Sequence, residues 1–157
     1  MANNYTLFAT TFTPMSEEQT TFILAALAVA RGEESALTAW LEENNVEADD
    51  PTLFLSGISH TYCPAKGGER PYIYFASEEC GSLEDLAQLI AAAQRKFPED
   101  TLVWHAASAS TCSAMRVEEF GGYAVCVHRG TIARISTTQW MNEQAHKFLG
   151  QEKAQDA

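Results

Sequence analysis

The sequence predicts a single α+β domain in which a mostly antiparallel sheet has its helices packed on one face. Strand-like segments, rich in β-branched and aromatic residues, are interspersed with segments that repeat apolar residues every three or four positions. Neighbouring strand-like segments are joined by short turns, which favours antiparallel pairing. The predicted order is β-α-α-β-β-α-β-β-β-α, with residues 1–150 as the domain and residues 151–157 as a frayed tail.

The first third of the chain reads as one strand and two helices. The segment Tyr5–Phe12 alternates phenylalanines with threonines, as a strand does. Ser16–Gln19 has the pattern of a capping box, which predicts a helix that runs to about Ala30. A second helix carries one apolar stripe over Leu37–Leu41, and the asparagines at 44–45 end it.

The middle third predicts a hairpin and a regular helix. Leu53–Ile58 is β-like, and Tyr62–Gly68 contains the proline and glycines of a turn or a longer loop. The strand Pro71–Ala76 is apolar on both faces, which predicts a central position in the sheet. The helix Ser82–Phe97 combines a serine cap, an acidic first turn, a basic last turn and a following proline at Pro98.

The last third predicts three strands and a final helix, separated by one polar connection that is rich in hydroxyl residues. These elements are the strand Leu102–Ala106, the connection Ser108–Glu119, a hairpin of Tyr123–His128 and Thr131–Ser136 turned at Arg129-Gly130, and a helix that starts near Thr137 or Thr138.

The charge of the chain excludes some functions and favours others. The formal net charge is −11, and residues 1–62 contain nine acids but a single base. Direct binding of nucleic acid is disfavoured, because phosphate contacts need clustered lysines and arginines. The sequence contains no apolar run long enough to span a membrane and no basic, apolar leader, so we expect a cytoplasmic protein. Its four cysteines are then expected to be reduced thiols.

A non-enzymatic protein with an acidic surface that binds a protein partner, of which a basic protein is one example, is the first functional hypothesis. Electrostatic complementarity of this kind speeds association. The alternative is an acidic surface that serves solubility alone. The candidate partner-binding residues are Glu33, Glu34, Glu42, Glu43 and Glu47.

The second hypothesis places a small-ligand site or a thiol-dependent enzyme around Cys112. A nucleophilic thiolate needs a histidine or a helix N-terminus to lower its pKa, and His105 and His128 flank the connection that contains Cys112. The alternative is a structural thiol and a demanding turn, in which a glutamate pairs with Arg116. The catalytic candidates are Cys112, His105, Glu118 and Glu119, and the ligand-binding candidates are Ser110, Thr111 and Arg116.

No metal or cofactor is predicted. The sequence contains no phosphate-binding loop, no dinucleotide-binding fingerprint and no zinc-protease motif. His60 and Cys63 are spaced as two metal ligands, but the remaining cysteines and histidines do not complete a zinc framework.

Three stretches resemble a family of small, uncharacterised bacterial and phage- or plasmid-associated proteins. These are the opening Met-Ala-Asn-Asn-Tyr, the strand–Ser-Glu-Glu–helix unit Tyr74–Phe97, and Thr-Cys-Ser…Arg-Val-Glu-Glu-Phe-Gly-Gly…Ala-Val. The likeness covers the first strand and residues 72–144. The chain departs from the family pattern at Tyr123, in place of a third glycine, and at Ser113–Met115, in place of a Lys-Pro-type turn. The resemblance implies one domain and a mobile-element context, but no activity.

Overall fold

The computed structural model describes residues 4–112 and 121–155. These residues form six strands and four α-helices, with a short 3₁₀ turn at Pro51–Leu53. In chain order the elements are β1 (Asn4–Phe12), α1 (Glu17–Val29), α2 (Glu34–Glu43), β2 (Ser59–Cys63), β3 (Tyr72–Ser77), α3 (Leu83–Lys96), β4 (Trp104–Cys112), β5 (Gly121–His128), β6 (Thr131–Ser136) and α4 (Thr137–Gln155).

The six strands form one antiparallel sheet in the spatial order β2-β3-β1-β4-β5-β6, which confirms the predicted α+β class. One face of the sheet packs against α3, and α1 packs beside α3 with α2 next to it. The core between these layers is apolar: Ile23 of α1, Phe75 of β3, Ile90 of α3 and Val127 of β5 are all fully buried. Such a layer arrangement buries one face of an antiparallel sheet and leaves the other face uncovered by α1–α3.

Alternation along the strands defines the face that α1–α3 do not cover, which we call the open face, and the start of α4 lies against its β5–β6 side. It consists of the odd-numbered residues 5–11 of β1, 59–63 of β2, 105–111 of β4 and 131–135 of β6, and the even-numbered residues 72–76 of β3 and 122–128 of β5. The register supports this assignment, because Phe8 and Phe12 point to the core while Leu7 and Thr11 are exposed.

The helix starts follow the local signals in the sequence. The Ser16 side chain accepts from the Gln19 amide at 3.2 Å, and the buried Gln19 side chain accepts in return from the Met15 amide at 2.9 Å. The Ser82 side chain accepts from the Asp85 amide at 3.1 Å. Both caps satisfy amides that lack a partner inside the helix, and both were predicted.

The β5–β6 hairpin turns where the sequence predicts it. Arg129 and Gly130 both have positive φ, at 50° and 74°, as a type I′ turn requires. A Cβ atom on Gly130 would clash with the side chain of Arg95, so the turn also packs closely on α3. The other predicted hairpin, β2–β3, is present as well, with Ser59 opposite Ala76 and Cys63 opposite Tyr72.

The prediction of a strand over Leu53–Ile58 is wrong. Phe54–Gly57 forms a turn, and strand β2 begins only at Ser59. Leu55 has a left-handed backbone, φ 59°, and its amide donates to the Asp85 carboxylate at 3.1 Å. This contact with α3 fixes the turn. The apolar residues of the turn alone do not reveal the contact.

The prediction that β3 lies inside the sheet is confirmed, but only one of its two apolar faces is buried. Ile73 and Phe75 are fully buried, but Tyr72 and Tyr74 are 37% and 39% exposed on the open face. The strand is internal to the sheet, because β1 and β2 pair with its two edges. It is covered on one face only.

The hydroxyl-rich connection is shorter than predicted. Residues Ser108–Cys112 continue strand β4, where β5 pairs with residues as far as Ser110 and β1 pairs with residues up to Cys112. Pairing on two edges outweighs the weak strand propensity of serine and alanine. At the other end of the chain, α4 extends to Gln155 and so includes most of the predicted frayed tail.

None of the helices in the described part of the chain has both the length and the apolar composition needed to cross a membrane.

Candidate functional site

Strand β4 places the predicted thiol site at one end of the sheet. Ser110 and Thr111 lie in β4 opposite Thr6 and Tyr5 of β1, and the backbone of Cys112 lies opposite Asn4. The side chain of Cys112 is outside what the structure describes. So are residues 113–120, which include the candidates Arg116, Glu118 and Glu119.

The structure separates Cys112 from the two histidines that were expected near it. His105 precedes Cys112 by seven residues on the same strand, a distance of roughly 23 Å along an extended backbone. On β5, Gly121 pairs near the Cys112 end, whereas His128 lies at the far end beside the hairpin turn. The hypothesis that His105 or His128 activates Cys112 is therefore wrong.

His105 lies instead in a cleft between β1 and β4. The pairing of these strands ends at Leu7 and Ala109, and the described residues 8–12 of β1 pair only with β3. The side chain of Trp104 spans the gap, where its Nε1–H donates to the carbonyl of Thr11 at 3.0 Å. The cleft has a volume of about 490 Å³, within the size range of small-molecule pockets.

The chemistry available in this cleft is modest. Its lining offers the imidazole of His105, the phenol of Tyr74 and threonine hydroxyls, without a carboxylate or a thiol among the described lining residues. Acid–base or nucleophilic catalysis needs a second group that orients or activates the first. This lining can hold a polar molecule, but it does not form a catalytic pair.

A polar network connects α3 to strands β5 and β6. Arg134 donates from Nε to Oε2 of Glu84 at 2.9 Å and from Nη2 to Oε1 at 2.5 Å. The phenol of Tyr123 donates to the same carboxylate at 2.5 Å, and the Gln88 amide donates at 3.2 Å. We call Glu84, Tyr123 and Arg134 the Glu84 network.

The pKa values of Glu84 and Tyr123 are both shifted in this network. The bonds from Arg134 hold the pKa of the Glu84 carboxyl below its usual range, against the opposing effect of burial. Burial and the negative neighbour Glu84 raise the pKa of Tyr123 to about 12. A stable ion pair that locks a helix to a hairpin accounts for all three groups. The network is structural.

Sequence reasoning did not find the Glu84 network. Glu84 was predicted as a favourable charge in the first turn of α3, which it is. Its partners are 39 and 50 residues away and belong to strands whose register is fixed only by tertiary pairing. One available signal was that Arg134 interrupts an otherwise uncharged strand.

The five predicted partner-binding glutamates are all exposed and lie at or near the two ends of α2, and we call them the α2 acidic surface. Glu34, Glu42 and Glu43 belong to α2, Glu33 precedes it and Glu47 follows it, and all five are exposed. No lysine or arginine occurs in the sequence between Arg31 and Lys66.

Three basic side chains lie beside this surface, and one of them, Arg134, lines a depression together with Glu47. Arg95 donates to the backbone carbonyl of Asn45 at 3.0 Å, and Lys96 donates to the side-chain oxygen of Asn44 at 3.2 Å. Both bonds go to uncharged oxygens. Among the residues described, Glu84–Arg134 is the salt bridge observed, and none joins the α2 acidic surface to a base.

The described residues contain no group of three or more histidine, cysteine or acidic side chains arranged to hold a metal ion. Within the same residues, Cys63, Cys80 and Cys126 are free thiols. His60 of the predicted His60–Cys63 pair contacts Arg31 through Nδ1 at 3.1 Å, and its pKa is lowered by burial and by that guanidinium.

Comparison of the chain with protein-family models, with curated proteins and with solved structures finds no match.

Proposed function

We propose that this protein is a non-enzymatic interaction protein that binds a basic region of a partner protein through the α2 acidic surface. The observation that carries the proposal is the orientation of its charges relative to α2. Glu42 and Glu43 occupy the last two positions of the helix, and its last turn contains no basic residue. Carboxylates at a helix C-terminus oppose the helix dipole, so they lower the stability of the helix there.

The neighbouring helix α3 shows the opposite arrangement. Glu84 and Asp85 lie in its first turn and Arg95 and Lys96 in its last, as the dipole favours. A residue that lowers stability where a better choice is easily available is typical of a functional surface. The remaining glutamates of the α2 acidic surface extend the same negative potential over the exposed side of the helix, which favours encounter with a cationic partner.

Removing the C-terminal charges of α2 is expected to stabilise the protein. The substitutions Glu42→Gln and Glu43→Gln should each raise the free energy of unfolding by about 0.3 to 1 kcal/mol, because each removes an unfavourable charge–dipole interaction. Urea unfolding at low ionic strength measures the change. The matched control, Glu17→Gln in the first turn of α1, should lower stability instead. A loss of stability in Glu42→Gln would contradict the charge–dipole argument.

The same charges are expected to control binding. A variant with glutamine at 33, 34, 42 and 43 should bind cationic proteins with an affinity reduced about threefold for each charge removed. The wild type and the variant are each immobilised and exposed to cell extract at low salt. Quantitative mass spectrometry then compares the proteins that each one retains.

A second variant distinguishes loss of the α2 acidic surface from a general loss of negative charge. Glutamine at 17 and 18 of α1 removes two exposed carboxylates outside the α2 acidic surface. We expect this control to retain the same proteins as the wild type, and we expect about 0.3 M salt to release them. Equal losses in both variants, or retention that ignores salt, would refute binding through the α2 acidic surface.

A further inference from the structure

Strand β6 is the last of the described strands at one edge of the sheet. Its hairpin with β5 has a two-residue turn, so the first pair, His128 and Thr131, is hydrogen-bonded, and such pairs recur at every second residue. The backbone N–H and C=O groups of the odd-numbered residues of β6 therefore point toward β5. Those of Ile132 and Arg134 point out of the sheet.

These outward backbone groups have no partner within the described part of the chain. None of its hydrogen bonds reaches the N–H or C=O groups of Ile132 and Arg134. The bonds from α3 go to the turn instead, where Arg95 donates to the carbonyl of Gly130 and the Gly130 amide donates to Gln94, both at 3.2 Å. Alternating donors and acceptors along a strand edge are complementary to the backbone of another extended polypeptide.

A depression of about 260 Å³ lies beside this edge, on the side of the sheet that α3 covers. Strand β6, the first half of α3 and the segment 47–49 form its walls. We call it the edge groove, and its lining residues are Glu47, Asp49, Glu84, Asp85, Gln88 and Arg134. The side chains of a strand added to β6 would alternate between this groove and the open face.

The edge groove is negatively charged. Four carboxylates line it against one guanidinium, and that guanidinium is already paired with Glu84. Burial raises the pKa of Asp85, and the negative charges of Asp49 and Glu84 raise it further. A cationic side chain in the groove would offset the repulsion among these carboxylates.

The opposite edge of the sheet is flanked by a positive charge. At strand β2, Nη2 of Arg31 contacts Nδ1 of His60 at 3.1 Å. Arg31 is the only lysine or arginine among residues 1–62. Electrostatic complementarity therefore directs a cationic segment to β6 rather than to β2.

We propose that β6 binds a basic, extended segment of the partner protein as an added antiparallel strand, with its basic side chains in the edge groove. The proposal rests on the proposed function, since it states how the basic region of that partner is held. Glu47 belongs both to the α2 acidic surface and to the edge groove, so the two are continuous. The alternate side chains of the added strand lie beside Thr131, Ala133 and Ile135, where small or apolar side chains fit best.

A synthetic peptide tests this binding mode. In the heptapeptide Val-Lys-Val-Thr-Val-Lys-Val, blocked at both ends, the two lysines and the threonine share one side of the extended chain. The threonine can then lie opposite Arg134 with a lysine on either side of it. We expect a dissociation constant of about 0.1 to 1 mM in a calorimetric or NMR titration. The absence of binding at about 5 mM peptide overturns the proposal.

Backbone methylation of the peptide distinguishes strand addition from attraction between charges. In an added antiparallel strand the amides of the threonine and the lysines donate to β6, whereas the valine amides point away from it. N-methylation of the threonine and one lysine should weaken binding at least about tenfold, and N-methylation of two valines should change it by less than about threefold. The peptides carry the same charge. Equal affinities of the two methylated peptides overturn the proposal.

Amide hydrogen exchange locates the added strand on the protein. In the free protein the amides of Ile132 and Arg134 should exchange faster than those of Ala133 and Ile135, which face β5. At a peptide concentration of about ten times the dissociation constant, exchange at Ile132 and Arg134 should slow about tenfold. Unchanged exchange at these two amides, or protection of β2 instead, overturns the proposal.

Charge variants separate this proposal from the proposed function. Glu47→Gln combined with Asp49→Asn should weaken peptide binding at least about fivefold. The matched control, Glu33→Gln combined with Glu34→Gln at the other end of α2, should change it by less than about twofold. Equal peptide affinities of these two variants overturn binding in the edge groove. The proposed function fails separately, if loss of the α2 acidic surface leaves the retention of cationic proteins unchanged.

Discussion

Replacing Trp104 with alanine is expected to lower the free energy of unfolding by about 3 to 5 kcal/mol, a large part of the total for a domain of this size. The indole is 5% exposed, and it lies where the pairing of β1 and β4 stops. Alanine removes the packed ring and also the hydrogen bond from Nε1 to the carbonyl of Thr11. Urea unfolding followed by circular dichroism measures the loss without relying on tryptophan fluorescence.

Two further substitutions separate the contributions of Trp104. Trp104→Phe keeps most of the apolar ring but removes the donor to Thr11, so we expect a smaller loss, with about 0.5 to 1.5 kcal/mol due to the hydrogen bond. Val103→Ala changes the adjacent side chain, which is 58% exposed, and should alter stability by less than about 0.5 kcal/mol. Similar losses for Trp104→Ala and Val103→Ala would show that Trp104 does not hold the two strands together.

The elements predicted correctly are those whose signals lie within the element. Helix α3 was found within a residue at each end, because Ser82 caps it, its charges follow the dipole and Pro98 ends it. The β5–β6 turn was found for the same reason, since Arg129-Gly130 favours positive φ. In these places the local preference and the tertiary structure agree.

The errors arose where a distant residue decides the local structure. The short apolar run Leu53–Ile58 is compatible with a strand. In the structure the carboxylate of Asp85 accepts a hydrogen bond from the amide of Leu55, and the chain turns there. Ser108–Cys112 lacks strand formers, yet β1 and β5 hold it extended from both sides. A single sequence contains no record of these pairings, so its local preferences were misleading.

For the same reason, the two functional hypotheses differ in how far the sequence alone can support them. The α2 acidic surface depends only on charge, exposure and one helix, all of which the sequence predicts well. A site centred on Cys112 depends on which strand positions lie close together in space. Once β4 continued to Cys112, His105 lay too far away to act on the thiol.

Disrupting the Glu84 network by Glu84→Gln is expected to lower stability at neutral pH by about 1 to 2 kcal/mol. The value is modest for a bidentate ion pair because the side chains of Arg134 and Glu84 remain 44% and 29% exposed, and solvent screens them. Glutamine keeps the shape of the side chain but removes the charge that accepts from Arg134 and Tyr123. Glu69→Gln, an exposed residue on a loop, is the matched control, and its effect should be close to zero.

The dependence of this loss on pH identifies the charge as its cause. Hydrogen bonds from Arg134 lower the pKa of Glu84 in the folded state, so the unfolded chain binds the proton more readily. The stabilisation by Glu84 is then complete above the ordinary glutamate pKa of about 4.3 and is lost as the pH falls through the lowered value. The difference between wild type and Glu84→Gln should be constant from pH 6 to 8 and shrink below about pH 4. A difference that is equally large at about pH 3 would mean that Glu84 stabilises the fold by packing rather than by its charge.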